Sequence, residues 1–335
     1  MRYLLLCAVL MLGACQSQPA LAPLPDWQSP EGRAQAELAQ IHDLHSGQRL
    51  TPQQLVERLA GAPQVLVGEQ HDNPDHHALQ LWLLHALEAR RDQGSLLLEM
   101  LASSQQPLAD NVAMQLREGR QINNLAKALE WTNGWPWSLY GPIVRHGLAQ
   151  DYGLRAANLD RAEIMAIYRR PPALSGDAST AAAVRERLLA QIRESHCDKL
   201  PISQLPAMLA VQQQRDRRMA ERLLAAPKPA MLLAGAFHVR RDLGVPLHLR
   251  DLGSADGAQV LILGSTTMHE AHSWLSERVG VPVINPGPLT YKLASIALDL
   301  KLTHSKATWP TPLVPKHDMI RAIGTAGAAY LEGNQ

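Results

Sequence analysis

The sequence predicts an α/β domain, a mostly parallel sheet flanked by helices on both faces, with a helical subdomain. Short apolar runs recur at Val65-Leu66-Val67, Leu96-Leu97-Leu98, Leu154 to Ala157 and Ala230 to Ala234. Amphipathic helical stretches separate them, the pattern of strands buried on both faces. Each run is followed by polar groups or glycine: Gly68-Glu69-Gln70-His71, Glu99, Asn158 and Gly235-Ala236-Phe237-His238. In a parallel sheet such positions gather along one edge, where ligands bind.

In chain order, residues 1–15 (MRYLLLCAVLMLGAC) read as a lipoprotein signal. Arg2 is the basic start, and Tyr3 to Leu12 is too short for a permanent membrane span. Leu12-Gly13-Ala14-Cys15 is a lipobox, so Cys15 is the expected lipidation site. Gln16 follows in place of the aspartate that favours inner-membrane retention, so the expected location is the outer membrane, lipid-anchored and facing the periplasm. Residues 16–33 hold Pro19, Pro23, Pro25 and Pro30 and no periodic pattern, the composition of a tether. The core domain is expected over 34–265.

A helix is expected at 34–42, then another at 52–60, capped by Thr51 with Pro52 in the first turn. The first strand covers Val65 to Val67. Asn73 caps and Pro74 opens a helix to about Arg91. The second strand ends at Glu99, and helical segments follow at 103–130 and 138–150. After the third strand come helical patterns at 161–169, 178–196 and 203–225. This stretch, about 160–226, exceeds one crossover and reads as the helical subdomain. A fifth strand is expected at Val260 to Leu263. Residues 266–335 form a C-terminal extension of unassigned role, with proline-rich stretches and a helix at 317–331.

With residues 1–14 removed, the chain keeps 31 basic and 31 acidic side chains. That balance argues against nucleic acid and against electrostatic membrane binding. Cys7 leaves with the signal and Cys15 carries lipid, so Cys197 has no internal disulfide partner. The fold must hold by its core.

The strand ends carry the chemistry. Glu69 and His71 stand on one turn, and Glu99 follows three leucines. A carboxylate there needs a partner, since burying a lone charge is costly. Gln212, Arg215, Asp216 and Met219 share one helix face before the fourth strand. Trp131, Trp135, Trp137 and Tyr140 cluster within ten residues, read either as core packing or as a wall for a planar ligand. His71, His76 and His77 with a carboxylate could supply three zinc ligands. Their spacing matches no strong zinc signature.

In this order, several segments resemble the ChaN-like haem-binding lipoproteins, a family related to the erythromycin-esterase and TraB/Tiki group. They are Val67 to Asn73 with His77, Leu98-Glu99-Met100, Trp137-Ser138-Leu139-Tyr140 and Ala157 to Arg161. His196-Cys197 with Leu200-Pro201, Gln212 to Ala220, and Gly235 to Asp242 with Gly244-Val245-Pro246 complete the set. The resemblance covers about residues 38–265. Asp160 stands where the family pattern expects proline, and Phe237 where it expects a small or polar residue.

The resemblance implies tyrosine-ligated ferric haem at a dimer interface, serving haem and iron acquisition or storage. A phenolate is a hard anionic ligand suited to ferric iron. The tyrosines in question are Tyr140, Tyr152, Tyr168, Tyr291 and Tyr330. Tyr140 is the expected iron ligand because it lies in a matched motif. His146 is the expected supporting donor, and Trp137 and Arg215 the expected haem contacts. Expected partners are haem, a second copy of the chain and a haem receptor or transporter. The alternative is a hydrolase, esterase-like or a metal-dependent peptidase, using Glu69, His71, Glu99 and His238 as the catalytic cluster. No serine stands in a nucleophile-elbow motif.

Overall fold

The computed structural model describes residues 20–29, 33, 38–196, 199–254 and 257–264. The chain divides into two units, Met1–Glu270 and Ala271–Gln335. All described residues belong to the first. The lipobox with Cys15, Cys197, the C-terminal extension with its expected helix, Tyr291 and Tyr330 lie outside the described residues.

The first elements are two short strands, β1 (Ile41–His42) and β2 (Arg49–Leu50), paired antiparallel. Of the helix expected at 34–42, residues 34–37 lie outside the described residues, and 38–42 form a turn and a strand in its place. Ala39 adopts a left-handed backbone (φ 64°) that ends helical continuation, and Gly47 (φ 71°) closes the turn. Asp43 accepts hydrogen bonds from His45 N and the Ser46 hydroxyl, so turn chemistry overrides local helical pattern.

Helix α1 (Pro52–Ala60) starts with a Thr51–Gln54 capping box. Strand β3 (Gln64–Glu69) leads to α2 (Pro74–Glu88), whose first amides are capped by the Asn73 side chain. Strand β4 (Ser95–Ala102) runs three residues past Glu99, farther than its apolar run indicated. The 103–130 segment breaks into a 3-10 turn, α3 (Gln106–Arg117) and α4 (Leu125–Ala128). Then come α5 (Trp137–Ala149), β5 (Gly153–Asn158), α6 (Arg161–Arg169), α7 (Ala182–Ser195) and α8 (Leu205–Ala225). Strand β6 (Ala230–Gly235), the short α9 (Ala236–Val239), α10 (Val245–Asp251) and β7 (Ala258–Ile262) complete the described fold.

The main sheet has order β5-β4-β6-β3-β7, with every pair parallel. Alternate side chains divide two cores. Val65, Val67, Leu96, Leu98, Met231 and Leu233 pack with α1, α2, α3 and α5. Leu66, Leu97, Leu232 and Ala234 pack with α8, α9 and α10 on the other face. Helix α7 seals a third, smaller cluster with the first half of α8, through Leu188, Ile192, Leu205 and Leu209.

Gly68 permits a close approach at the carboxyl edge. A Cβ there would stand 2.3 Å from Val239 Cγ2 and 2.8 Å from Ala236 Cα. Residues 20–29, expected as free tether, lie along α2. The Trp82 indole donates to Ala22 O at 3.0 Å, and Gln28 N donates to Asp75 at 2.5 Å.

Candidate functional site

The sequence order of β3, β4 and β6 differs from their spatial order. The sheet places β6 between the other two, and this brings distant strand ends together. Gly235 ends β6 at the centre of the group. His71, after β3, lies over it: a Cβ on Gly235 would stand 2.9 Å from His71 Cε1 and 3.7 Å from Glu99 Oε2. Gly235 N donates to Glu99 Oε2 at 2.8 Å. Asn158, at the end of β5, donates to Glu99 O at 2.8 Å. His71, Glu99 and His238 thus share one rim, as their strand-end positions indicated.

Two carboxylate–histidine assemblies occupy this rim. In the first, His71 Nδ1 stands 2.5 Å from Glu69 Oε1. The Glu69 side chain is wholly buried, while the His71 side chain is 42% exposed. The buried Tyr140 hydroxyl donates to the same Glu69 oxygen at 3.1 Å. The other oxygen, Oε2, has no hydrogen-bond partner among the described residues. Burial draws the His71 pKa down, but the Glu69 hydrogen bond and the charges of Glu99 and Glu69 together raise it above its ordinary value.

In the second, His238 sits between two acids. Its Nδ1 is 2.5 Å from Asp216 Oδ1, and its Nε2 is 3.2 Å from Glu99 Oε1. Arg215 approaches the same Glu99 oxygen at 3.9 Å. The Glu99 Oε1 contacts are ion pairs at close range without hydrogen-bond alignment. Burial disfavours the His238 cation, yet the charges of Glu99 and Asp216 push its pKa up to about 10. Burial likewise opposes ionised Glu99, but His238, His71 and Arg215 hold its carboxyl well below the usual range.

The residues expected to hold haem, Tyr140, His146, Trp137 and Arg215, take the following places in the structure. Tyr140 is 1% exposed and faces inward. Burial and the neighbouring Glu69 raise its pKa, which keeps the phenol protonated. His146 stands one helix end away, where its Nε2–H donates to Glu88 at 2.9 Å, so it gives Tyr140 no support. Tyr152 also donates to Glu88. Trp137 packs edge-on to Trp131 at 5.1 Å, and Trp135 packs edge-on to Tyr140 and to His71. Interplanar angles of 72°, 77° and 69° make this a folded aromatic cluster, not one flat wall. Arg215 does reach the rim, through Glu99.

The three-histidine zinc arrangement is also absent. His76 accepts from Gln70 N at 2.9 Å, while His77 points to His71 O at 3.1 Å. No group of three or more histidines, cysteines or acids suited to a metal forms among the described residues. The role of Asp216 as the His238 partner emerges from packing of α8 against the sheet edge. Its sequence signal was weak: an acid on a helix face shared with Gln212 and Met219.

The second assembly carries a stability signature. The unfolded histidine pKa is near 6.5 and the folded one about 10. A raised folded pKa means proton uptake on folding between those values. The contribution is therefore complete below pH 6.5 and lost as pH rises through 10. Asp216→Asn is expected to lower the His238 pKa, read by NMR titration, and to flatten the decline in urea-unfolding stability over that window. An unchanged titration in Asp216→Asn would contradict the pairing.

The sequence model of one protein family, described as haem-binding uptake, Tiki superfamily, ChaN, matches residues 55–249. Among solved structures, the fold is similar to ChaN of Campylobacter jejuni, described as showing cofacial haem binding. The two share 31% identity at a TM-score of 0.63, over 68% of this chain and 91% of that one. A second match, RRSP, a MARTX toxin effector domain from Vibrio vulnificus, is 15% identical with a TM-score of 0.36, over 63% of this chain and 36% of that one. No curated protein matches the chain. The match over most of the described domain, joined to the likeness with the Campylobacter protein, makes this chain a member of the ChaN haem-binding uptake family.

Proposed function

We propose that this protein binds ferric haem at the cell envelope, anchored through a lipid on Cys15 in the outer membrane and facing the periplasm, for haem and iron acquisition or storage. Family membership is the observation that carries the reading. Haem binding in the Campylobacter protein is cofacial, which makes a second copy of this chain the natural cover for the open haem face.

The iron ligand we assign is Tyr168 in place of Tyr140. Helix α6 has no buried residue, so its outer face is open to a large ligand. Arg161, Met165 and Tyr168 stand at i, i+4 and i+7, on one face. Arg161, Arg169 and Arg170 are exposed, and Met165 is 39% exposed. That set matches haem chemistry: a phenolate for ferric iron, an apolar contact for the ring, and guanidinium groups for two propionates. Tyr140 offers none of this access while its hydroxyl is held by Glu69.

A second reading attaches to the rim, favoured by its paired carboxylate–histidine assemblies. Glu69 holds His71 Nδ1, which directs the other nitrogen toward the space over Gly235. There it could take a proton from an attacking water. This is a hydrolase reading, for small esters or peptides.

Three measurements test these readings. Titration of the full-length chain with ferric haem is expected to give a saturable Soret shift with tyrosinate features. Tyr168→Phe should weaken binding at least about tenfold, near 1.4 kcal/mol, and Tyr140→Phe should not. The opposite result would return the ligand to the rim, and no shift at micromolar protein would end the haem reading. Radioactive fatty acid should label the wild type and not Cys15→Ser; equal labelling would refute the anchor. Small-ester or peptide turnover that disappears in folded His71→Ala would support the hydrolase, whereas an inert wild type would eliminate it.

A further inference from the structure

We propose that His85 and His146 form a surface site for one divalent transition-metal ion of the zinc, copper or nickel type. The site lies away from the rim and from α6, where the ends of α2 and α5 pack together. It is independent of the haem and hydrolase readings.

The two imidazoles converge. His85 Nε2 and His146 Nδ1 are 3.2 Å apart, with ring planes inclined by 66°. Two nitrogens held on one ion at about 2.0–2.1 Å, with an angle of about 90–110° between them, stand roughly 2.9–3.4 Å apart. The observed separation falls inside that range, so an ion needs little side-chain movement to enter.

One imidazole is already oriented as a ligand. His146 Nε2–H donates to both Glu88 oxygens at 2.9 Å, and Tyr152 donates to the same carboxylate. The proton on Nε2 leaves the Nδ1 lone pair facing His85. A carboxylate behind a ligating histidine is the arrangement that fixes the tautomer and raises basicity at metal sites. His85 is exposed, which gives an ion a path from solvent.

The Gln150 side-chain amide lies 3.5 Å from His146 Nδ1, and a half-turn of that amide presents its oxygen. No three acids, cysteines or histidines converge here, so water or an external ligand would complete the coordination. Two imidazoles with open positions suit zinc, copper and nickel better than calcium or magnesium. Without metal, the same contact is one His85–His146 hydrogen bond, and the experiment separates the two.

The untagged full-length chain in detergent, stripped by chelator, is titrated with Cu²⁺ and followed by EPR, and with Zn²⁺ by calorimetry. The expected Cu²⁺ signal carries nitrogen couplings from two imidazoles. One bound equivalent should disappear in His85→Ala and in His146→Ala. Glu88→Gln should weaken affinity by about 10–100-fold. Exposed His85 can be truncated without loss of fold, which far-UV circular dichroism checks. Equal stoichiometry and affinity in wild type and His85→Ala would overturn the site.

Discussion

A carboxylate buried at the centre of the sheet's carboxyl edge, Glu99, dictates what surrounds it. Removing an isolated charge from water costs several kcal/mol even after local relaxation. Here the compensation comes from separate segments: the Gly235 amide, His238, and Arg215 at longer range. His238 is itself buried, so its own charge needs Asp216. The β4 end, the β6–α9 turn and the middle of α8 are therefore bound into one electrostatic unit. Glycine at position 235 is part of that unit, because any side chain would enter the space of His71.

The two histidines differ in kind although both face acids. His238 is enclosed and doubly countered, so it is a fixed cation. His71 is paired on one side only and is 42% exposed, so it can exchange protons with solvent. The first stabilises the rim, and the second is the group an incoming molecule meets. Tyr140 lies behind them as packing, its hydroxyl consumed by Glu69. A buried tyrosine beside a carboxylate is a hydrogen-bond donor. A tyrosine that ligates iron must instead surrender its proton and present its oxygen. That difference is why we propose the haem ligand on α6, a helix with no buried residue.

Much of the fold was legible in the sequence. The apolar runs at 65–67, 96–98 and 230–234 mark the three inner strands, because burial on both faces leaves an uninterrupted apolar signature, and those at 154–157 and 260–263 mark the two edge strands, which are less buried. Thr51-Pro52 and Asn73-Pro74 mark helix starts, because capping is local chemistry. The hairpin at 41–50 was not legible as such. Its helical pattern is short, and one left-handed residue with a tight turn outweighs it. The extent of β4 was also hidden, since the charge at Glu99 looked like an exit from the sheet. Its partners arrive from β6 and α8, and the strand continues past it.

Sequence alone determined the strand-and-helix alternation, the balance of charge and the presence of polar groups at each strand end, all of which depend on neighbours along the chain. Which of those groups meet was decided by strand order. Placing β6 between β3 and β4 sets Gly235 beneath His71 and against Glu99, residues more than 130 positions apart in the case of Glu99 and Gly235. The same is true of accessibility. Tyr140 is buried where α5 packs on the sheet, and Tyr168 stays half-buried on α6, which packs against α8; that is a property of the packed layers.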